Sequence, residues 1–428
     1  MPLDLITRLT PLRRVRCPFC FERFHAYAMH QRCAGHDCKT EFTRMVDDPI
    51  LSRALNGQRG GQPGSSLRGP WWVDPHHDRK RGFRRYLDWL LLPSAPNCPH
   101  CHRPADERLC PACHRPLPDA ALTLGSGHVA IFGPQSVGKT TYITVLLHEL
   151  DNRVGPQEGF VLDPITDEVR DRYEREYHDT TYGATQFGIG EELAGDSLRR
   201  SHSATPSLEI NRGVLQPLVY RITRRAAPGH SSPRSALLSF FDTAGEDWEM
   251  NIELLRGEAR YLGEALGLLF LIDPLRIRAV AHDPRVTLTE KERRVPPADY
   301  LSDARKLATF FHRLPVKIPL AICLNKLDRW GRLLPKGTKL REWACEIPDF
   351  NDPGLDNLIN EEVQAALSQW GASGFLEYIA VTFPDHKFFA CSALGDAATA
   401  REDAPQTLPS PLLVERPVLW LLQRQGVL

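Results

Sequence analysis

The apolar positions of this 428-residue chain change rhythm partway along. From about Ala121, short unbroken apolar runs alternate with stretches whose apolar residues recur at helical spacing. Unbroken runs predict strands buried on both faces. Their alternation with helices predicts an α/β domain with a mostly parallel sheet and helices on both faces. Residues 128–132 read as the first strand and 141–150 as the helix after it. Residues 215–222 and 236–241 read as neighbouring strands, followed by strands at 265–272, 320–324 and 388–391. Helices are expected over 166–177, 301–312 and 414–423, while 282–297 and 330–355 read as insertions.

Ahead of residue 121 the pattern is different. Residues 55–70, rich in Gly, Gln, Ser and Arg, read as a linker or loop. Phe83, Tyr86, Leu87, Leu90 and Leu91 form one apolar helical face behind a basic start at Arg79, Lys80, Arg81, Arg84 and Arg85. That short helix is expected to pack on the neighbouring domain with its arginines solvated, rather than on a membrane. Cysteines dominate the rest. Cys17 and Cys20 form C-x2-C, then after twelve residues Cys33 and Cys38 form C-x4-C. Cys98 and Cys101 form C-x2-C, and after eight residues Cys110 and Cys113 repeat it. Four thiolates per set make two closed, structural zinc sites, since a catalytic zinc needs an open position. Pairs drawn from the two sets could instead share one ion, and His25, His30, His36 and His114 are near enough to substitute. Cys323, Cys345 and Cys391 have no ligand spacing and read as core or surface residues. The division expected is a zinc-ribbon module over 1–120 and an α/β domain over 121–428.

Charge narrows the partners. The 53 basic and 53 acidic residues cancel, which argues against a nucleic-acid or membrane surface as the main target. No secretory signal opens the chain and no apolar run is long enough to span a bilayer, so the cytoplasm is the expected compartment. An Arg-, Pro- and Ala-rich composition points to a GC-rich bacterial genome.

The candidate chemistry starts at Gly133-Pro134-Gln135-Ser136-Val137-Gly138-Lys139-Thr140, which fits G-x-x-x-x-G-K-[ST] between a strand and a helix. Backbone N–H groups of this loop, and of Thr141 behind it, would cradle phosphates at a helix N-terminus. Lys139 would reach the outer phosphates and the Thr140 hydroxyl a magnesium ion. Asp242-Thr243-Ala244-Gly245-Glu246 follows a buried strand. There Asp242 would hold magnesium through water and the Gly245 N–H would meet the γ-phosphate. Asn325-Lys326-Leu327-Asp328 follows another strand. Asp328 can accept from N1 and N2 of guanine, which adenine cannot match, Asn325 braces the loops and the Lys326 stem covers the base. Ser392-Ala393-Leu394 follows the last strand, with the Ala393 N–H placed for guanine O6.

Together, in this order, these stretches resemble the Ras-like, translation-factor-related class of P-loop GTPases, over about 121–428. Within it the chain looks most like the bacterial double-GTPase families, which often carry N-terminal zinc ribbons. The resemblance implies GTP and GDP as ligands, Mg2+ as cofactor, slow hydrolysis assisted by Lys139, Gly245 and Glu246, and ribbons that dock a partner protein. It also requires a first-switch threonine on magnesium. Thr205 is expected there, with Thr185, Thr180 and Thr181 as substitutes. Glu246 stands where Ras-like enzymes place Gln, which leaves a GTP-holding module with little hydrolysis as one alternative. A zinc-ribbon nucleic-acid factor is the other.

Overall fold

The computed structural model describes residues 14–33, 46–48, 67–69, 72–73, 97–98, 101–134, 136–183, 217–224, 234–242, 265–311, 318–344, 354–395 and 409–428. Seven strands form the main sheet: β1 (Gly125–Phe132), β2 (Phe160–Pro164), β3 (Leu218–Arg224), β4 (Arg234–Asp242), β5 (Gly267–Ile272), β6 (Leu320–Leu324) and β7 (His386–Ala390). Their spatial order is β7-β6-β5-β1-β4-β3-β2. β3 runs antiparallel to both of its neighbours, and every other pairing is parallel. The C-terminal ends of β1, β4, β5, β6 and β7 therefore share one edge, where loops of an open α/β sheet bind ligands. β5 (GLLFLI) and β6 (LAICL) are buried at every position, as central parallel strands must be.

Five helices matter for the site: α1 (Lys139–Glu149), α2 (Tyr300–Phe311), α3 (Leu355–Gln369), α4 (Ser373–Thr382) and α5 (Arg416–Arg424). α2 buries Tyr300, Ala304, Leu307 and Ala308, and α3 buries Leu355, Ile359, Val363 and Leu367, each a single helical stripe. Several parts of this differ from the sequence reading, which placed no helix where α3 and α4 lie. The edge strand β2 was not expected. It has only two inward apolar positions, Phe160 and Leu162, with Val161 turned to solvent, and it ends at a proline. The expected 166–177 helix is α-helical only over Asp167–Tyr173, then widens into π-type turns over Glu174–Gly183. The expected basic helix at 83–91 lies outside the described residues.

The two faces of the sheet are covered differently. Phe270 of β5 stacks on Phe132 of β1 and meets Tyr300 of α2 edge-on, which places α2 over that face. On the opposite face a Cβ at Gly267 would come within 2.6 Å of Leu421, so α5 approaches β5 closely there. His128 shares the Phe132 face and pairs in register with Ser239 of β4, which pairs with Val219 of β3. The first cysteine knuckle covers His128 and Ser239: Phe21 packs on the His128 ring at 4.1 Å, and the buried Ser239 hydroxyl donates to Pro18 O at 3.0 Å. Val219 packs among Val15, Phe19, Phe24, Met29 and Leu122. The cysteine-rich segment thus supplies part of the core of the α/β domain.

Phe21→Ala should therefore destabilise the sheet itself, by about 3 kcal/mol, the usual cost of deleting a buried aromatic side chain. Guanidinium unfolding followed by tryptophan fluorescence measures this. An unchanged midpoint would mean that the knuckle merely rests on the sheet.

Candidate functional site

The loop after β1 has the backbone of a phosphate cradle. Ser136 (φ 63°) and Gly138 (φ 90°) both adopt the left-handed region, which curls the chain before α1. At Gly138 a side chain would be strained by φ and its Cβ would sit 3.0 Å from Asn325 Nδ2. Gln135 lies outside the described residues. The Lys139 ammonium, at the first residue of α1, folds back to donate to Gly133 O at 2.8 Å and Pro134 O at 3.1 Å. It is held over the loop, next to the N–H groups of the first turn, where Thr140 and Thr141 follow. Tyr142 is fully buried and donates to Val414 O at 2.6 Å, tying α1 to the entry of α5. Burial pushes its phenol pKa well up.

The loop after β6 is joined to this cradle. The Asn325 amide donates to Val137 O at 2.9 Å, while its Oδ1 accepts from Lys326 N at 2.8 Å. Trp330 Nε1 donates to Asn325 O at 2.7 Å. The loop after β7 joins in turn. Leu327 N donates to Cys391 O at 2.9 Å, and the Ser392 hydroxyl donates to the Asp328 carboxylate. Ser392 Oγ also accepts from Gly395 N at 3.0 Å, and Ser392 pairs with Leu412. Ala393 is buried and Leu394 O accepts from Ser410 N. The structure thus brings Gly133, Ser136, Val137, Gly138, Lys139, Thr140, Thr141, Asn325, Lys326, Asp328, Ser392, Ala393 and Leu394 to one edge. Cys323 and Cys391 sit directly behind it as buried thiols with sulfurs 3.3 Å apart. That is too long for a disulfide.

Several expected residues lie elsewhere. Asp242 ends β4 in register with Ile131, so its backbone reaches the same edge. Thr243, Ala244, Gly245, Glu246, Thr185 and Thr205 lie outside the described residues. Thr180 and Thr181 fall within the wide helical turns of Glu174–Gly183, not just before a strand.

Sequence reasoning did not identify the partners of Lys326. Its backbone is left-handed (φ 62°), uncommon for a non-glycine residue. Its ammonium contacts Asp273 Oδ2 at 2.8 Å and Glu292 Oε1 at 3.3 Å. Asp273, 3% exposed, follows β5 and accepts from Leu275 N at 3.0 Å. Burial opposes ionisation of Glu292, but donation from Thr289 and the nearby Lys326 and Arg329 outweigh it and hold the carboxyl below its ordinary range. The only sequence signal was Thr289-x-x-Glu292, a reciprocal helix cap that is present in the structure.

The cysteines form two clusters that cross the two sequential sets, as the alternative of pairs drawn from both sets allows. Cys17, Cys20, Cys110 and Cys113 make one, and Cys33, Cys98 and Cys101 the other. Cys38, expected with Cys33, lies outside the described residues. The reason for the exchange is a strand ladder. His30–Arg32 pairs antiparallel with Glu107–Leu109, so Cys33 and Cys110 leave opposite ends of it. Each C-x2-C pair is a similar knuckle, with a left-handed residue just after it: Phe21, His102 or His114. Phe21, His102 and His114 each donate their N–H to the carbonyl of the first cysteine. Phe19 N and Ala112 N point at the sulfurs of Cys17 and Cys110, both at 3.4 Å. Sulfur separations of 3.8 Å (Cys17–Cys113), 3.6 Å (Cys20–Cys110) and 3.4 Å (Cys33–Cys101) exceed a disulfide bond. They approach the edge of a tetrahedron with metal–sulfur bonds of about 2.3 Å. Burial, then the neighbouring thiols, push the Cys17 thiol up, so a group of thiolates this close needs a cation among them. Both clusters could hold zinc. Among the described residues no histidine joins either one.

No protein-family model matches the chain, and no curated protein matches it. Solved structures give distant likenesses. The Saccharomyces cerevisiae Ski7 GTPase-like domain bound to GTP is 14% identical, with a TM-score of 0.31, over 71% of this chain and 50% of that one. The chain thus spans about half the length of that protein. The signal recognition particle receptor SRb-GTP/SRX complex of Chaetomium thermophilum gives 16% identity and a TM-score of 0.28 over 71% and 98%. A nucleolar GTP-binding protein 1 of Plasmodium falciparum gives 12% and 0.27 over 71% and 89%. At these TM-scores the likeness adds nothing to what the strand order and the loop geometry establish. Among the described residues no helix is long and apolar enough to cross a membrane.

The purified protein should contain two zinc equivalents by elemental analysis. Cys110→Ser should lose one and lower the unfolding midpoint of the sheet, because its cluster is packed against β3. Cys98→Ser should lose the other and leave that midpoint close to the parent's. Equal midpoint losses in the two variants would contradict this division.

Proposed function

We propose that this chain is a guanine-nucleotide switch of the Ras-like P-loop class, binding GTP and GDP with Mg2+ and hydrolysing GTP slowly. The observation that carries the reading is the joining of three loops at one sheet edge. The Asn325 amide fastens the loop after β6 to the phosphate cradle, and Ser392 fastens the loop after β7 to Asp328. A carboxylate so held can accept from two adjacent N–H groups of guanine. The loop N–H groups and Lys139 would take the phosphates. Thr140, Asp242 and Thr205 would hold the magnesium ion, which when bound supplies positive charge beside the phosphate oxygens. Catalysis would be positioning and charge neutralisation, with the Gly245 N–H on the γ-phosphate.

The closer kinship we favour is with the bacterial double-GTPase families. Support comes from the cysteine knuckles ahead of the domain and the long segment between the cradle and Asp242. Division at residue 120 then separates tasks rather than cores. The ribbons dock a protein partner, and the sheet binds nucleotide in the cytoplasm.

Asp328→Asn tests the base. An Asn amide can donate to the extra carbonyl of xanthine but cannot serve guanine N1 and N2 together. GTP affinity should fall by about a hundredfold or more, and xanthosine triphosphate affinity should rise. Equal affinity of the parent for ATP and GTP would sink the reading.

Glu246 tests the rate. Ionised Glu only accepts hydrogen bonds, and the γ-phosphate repels it, so it is a poor substitute for the water-orienting Gln. Single-turnover hydrolysis should proceed at or below about 10⁻³ per second. Glu246→Ala should change it by less than about tenfold. Fast turnover abolished by that substitution would instead make Glu246 the general base.

A further inference from the structure

We propose that Glu292 is a positioning residue of the base site: it anchors the Lys326 ammonium and so sets how fast a bound guanine nucleotide leaves. The proposal rests on the guanine reading above. In that reading Asp328 meets the edge of the base and the Lys326 stem covers its face, so the two contacts are separable.

A lysine stem is flexible, and fixing both of its ends narrows the conformations it can take over a ring. The backbone end is fixed here by the left-handed turn and the Asn325 Oδ1 bond at 2.8 Å. The ammonium end lies between two carboxylates of different standing. Asp273 belongs to the core, following β5 and capping the turn Pro274–Arg276. Glu292 belongs to the segment between β5 and α2, on the five-residue helix Glu290–Arg294. That segment is fastened to the domain at Arg276, which donates to Pro296 O at 3.2 Å and accepts from Ala298 N at 3.1 Å. Within it Val286 and Leu288 pack against the main core, and Glu292 reaches residues 326–329. Glu292 Oε1 takes Lys326 at 3.3 Å and Oε2 takes Arg329 at 3.4 Å, while Arg329 also donates to Thr287 O at 2.5 Å. The insertion thus grips the short helix Leu327–Trp330, which carries Asp328, as well as the lysine before it.

Glu292→Gln isolates the anchor. Gln keeps the reciprocal cap with Thr289, since Glu and Gln both serve it, but removes the charge facing Lys326. Release of N-methylanthraniloyl-GDP and of the corresponding inosine diphosphate is followed in the full chain after addition of excess unlabelled GDP. Glu292→Gln should speed both releases by about fivefold and by the same factor, because the stem covers the ring whatever its edge carries. Glu290→Gln, on the same helix but paired with Arg294, should leave both unchanged. In a Lys326→Met background, which keeps the stem and removes the ammonium, Glu292→Gln should have no further effect. The thermal midpoint of Glu292→Gln should match the parent's. Unaltered release in Glu292→Gln, acceleration for GDP alone, or an undiminished effect in the Lys326→Met background would each overturn the proposal. If the parent shows no preference for GDP over ADP, the guanine reading fails as well. If that preference holds while Glu292→Gln releases like the parent, only the positioning role falls.

Discussion

The Asn325 amide bond to Val137 O is the link on which the site depends. Asn325 is 3% exposed, and all its polar groups are committed to holding loops rather than solvent. Its N–H donates to Ile272 O, its side chain spans from the cradle to Lys326 N, and its carbonyl receives Trp330. The end of β5, the loop before α1 and the loop after β6 are therefore registered against one another by a single residue. A buried amide stripped of one partner leaves another polar group stranded, at a cost of about 1–3 kcal/mol.

A mostly parallel sheet must be covered on both faces, and here one patch is covered by a cysteine knuckle. The fit is specific: Phe21 lies against His128, and Ser239 caps Pro18 O. A knuckle is too small to supply a hydrophobic core of its own. Leaning on β1, β3 and β4 gives it one, and a metal ion would fix its shape. Stability of the knuckle and stability of the sheet become one quantity.

Legibility in the sequence followed locality. Residues 320–324 read as a strand because all five positions are apolar and buried, and the structure has β6 there. The turn that leads into α1 was readable because the eight residues of its motif are consecutive. β2 was not, since an edge strand needs only two inward side chains and Phe160 and Leu162 do not make a pattern. α3 had a readable stripe at Leu355, Ile359 and Val363 that charged and amide neighbours diluted. The pairing of the cysteines was beyond spacing arithmetic, because the ladder between His30–Arg32 and Glu107–Leu109 decides it. Asp273 and Glu292 lie 53 and 34 positions before Lys326, and nothing local ties them together.

The cysteine clusters are nested along the chain, and nesting favours an order of assembly. The outer cluster joins Cys20 to Cys110 across 90 positions, and the inner one joins Cys33 to Cys101 across 68. Both inner knuckle cysteines leave the ribosome before Cys110 does. Once the inner loop is closed, the outer closure spans only the twelve residues after Cys20 and the eight before Cys110. That is a shortening by about two doublings, which lowers the closure entropy cost by about 1 kcal/mol. Since the first knuckle covers β1 and β4, part of the sheet's cover is made before the sheet itself and precedes Ser239 out of the ribosome.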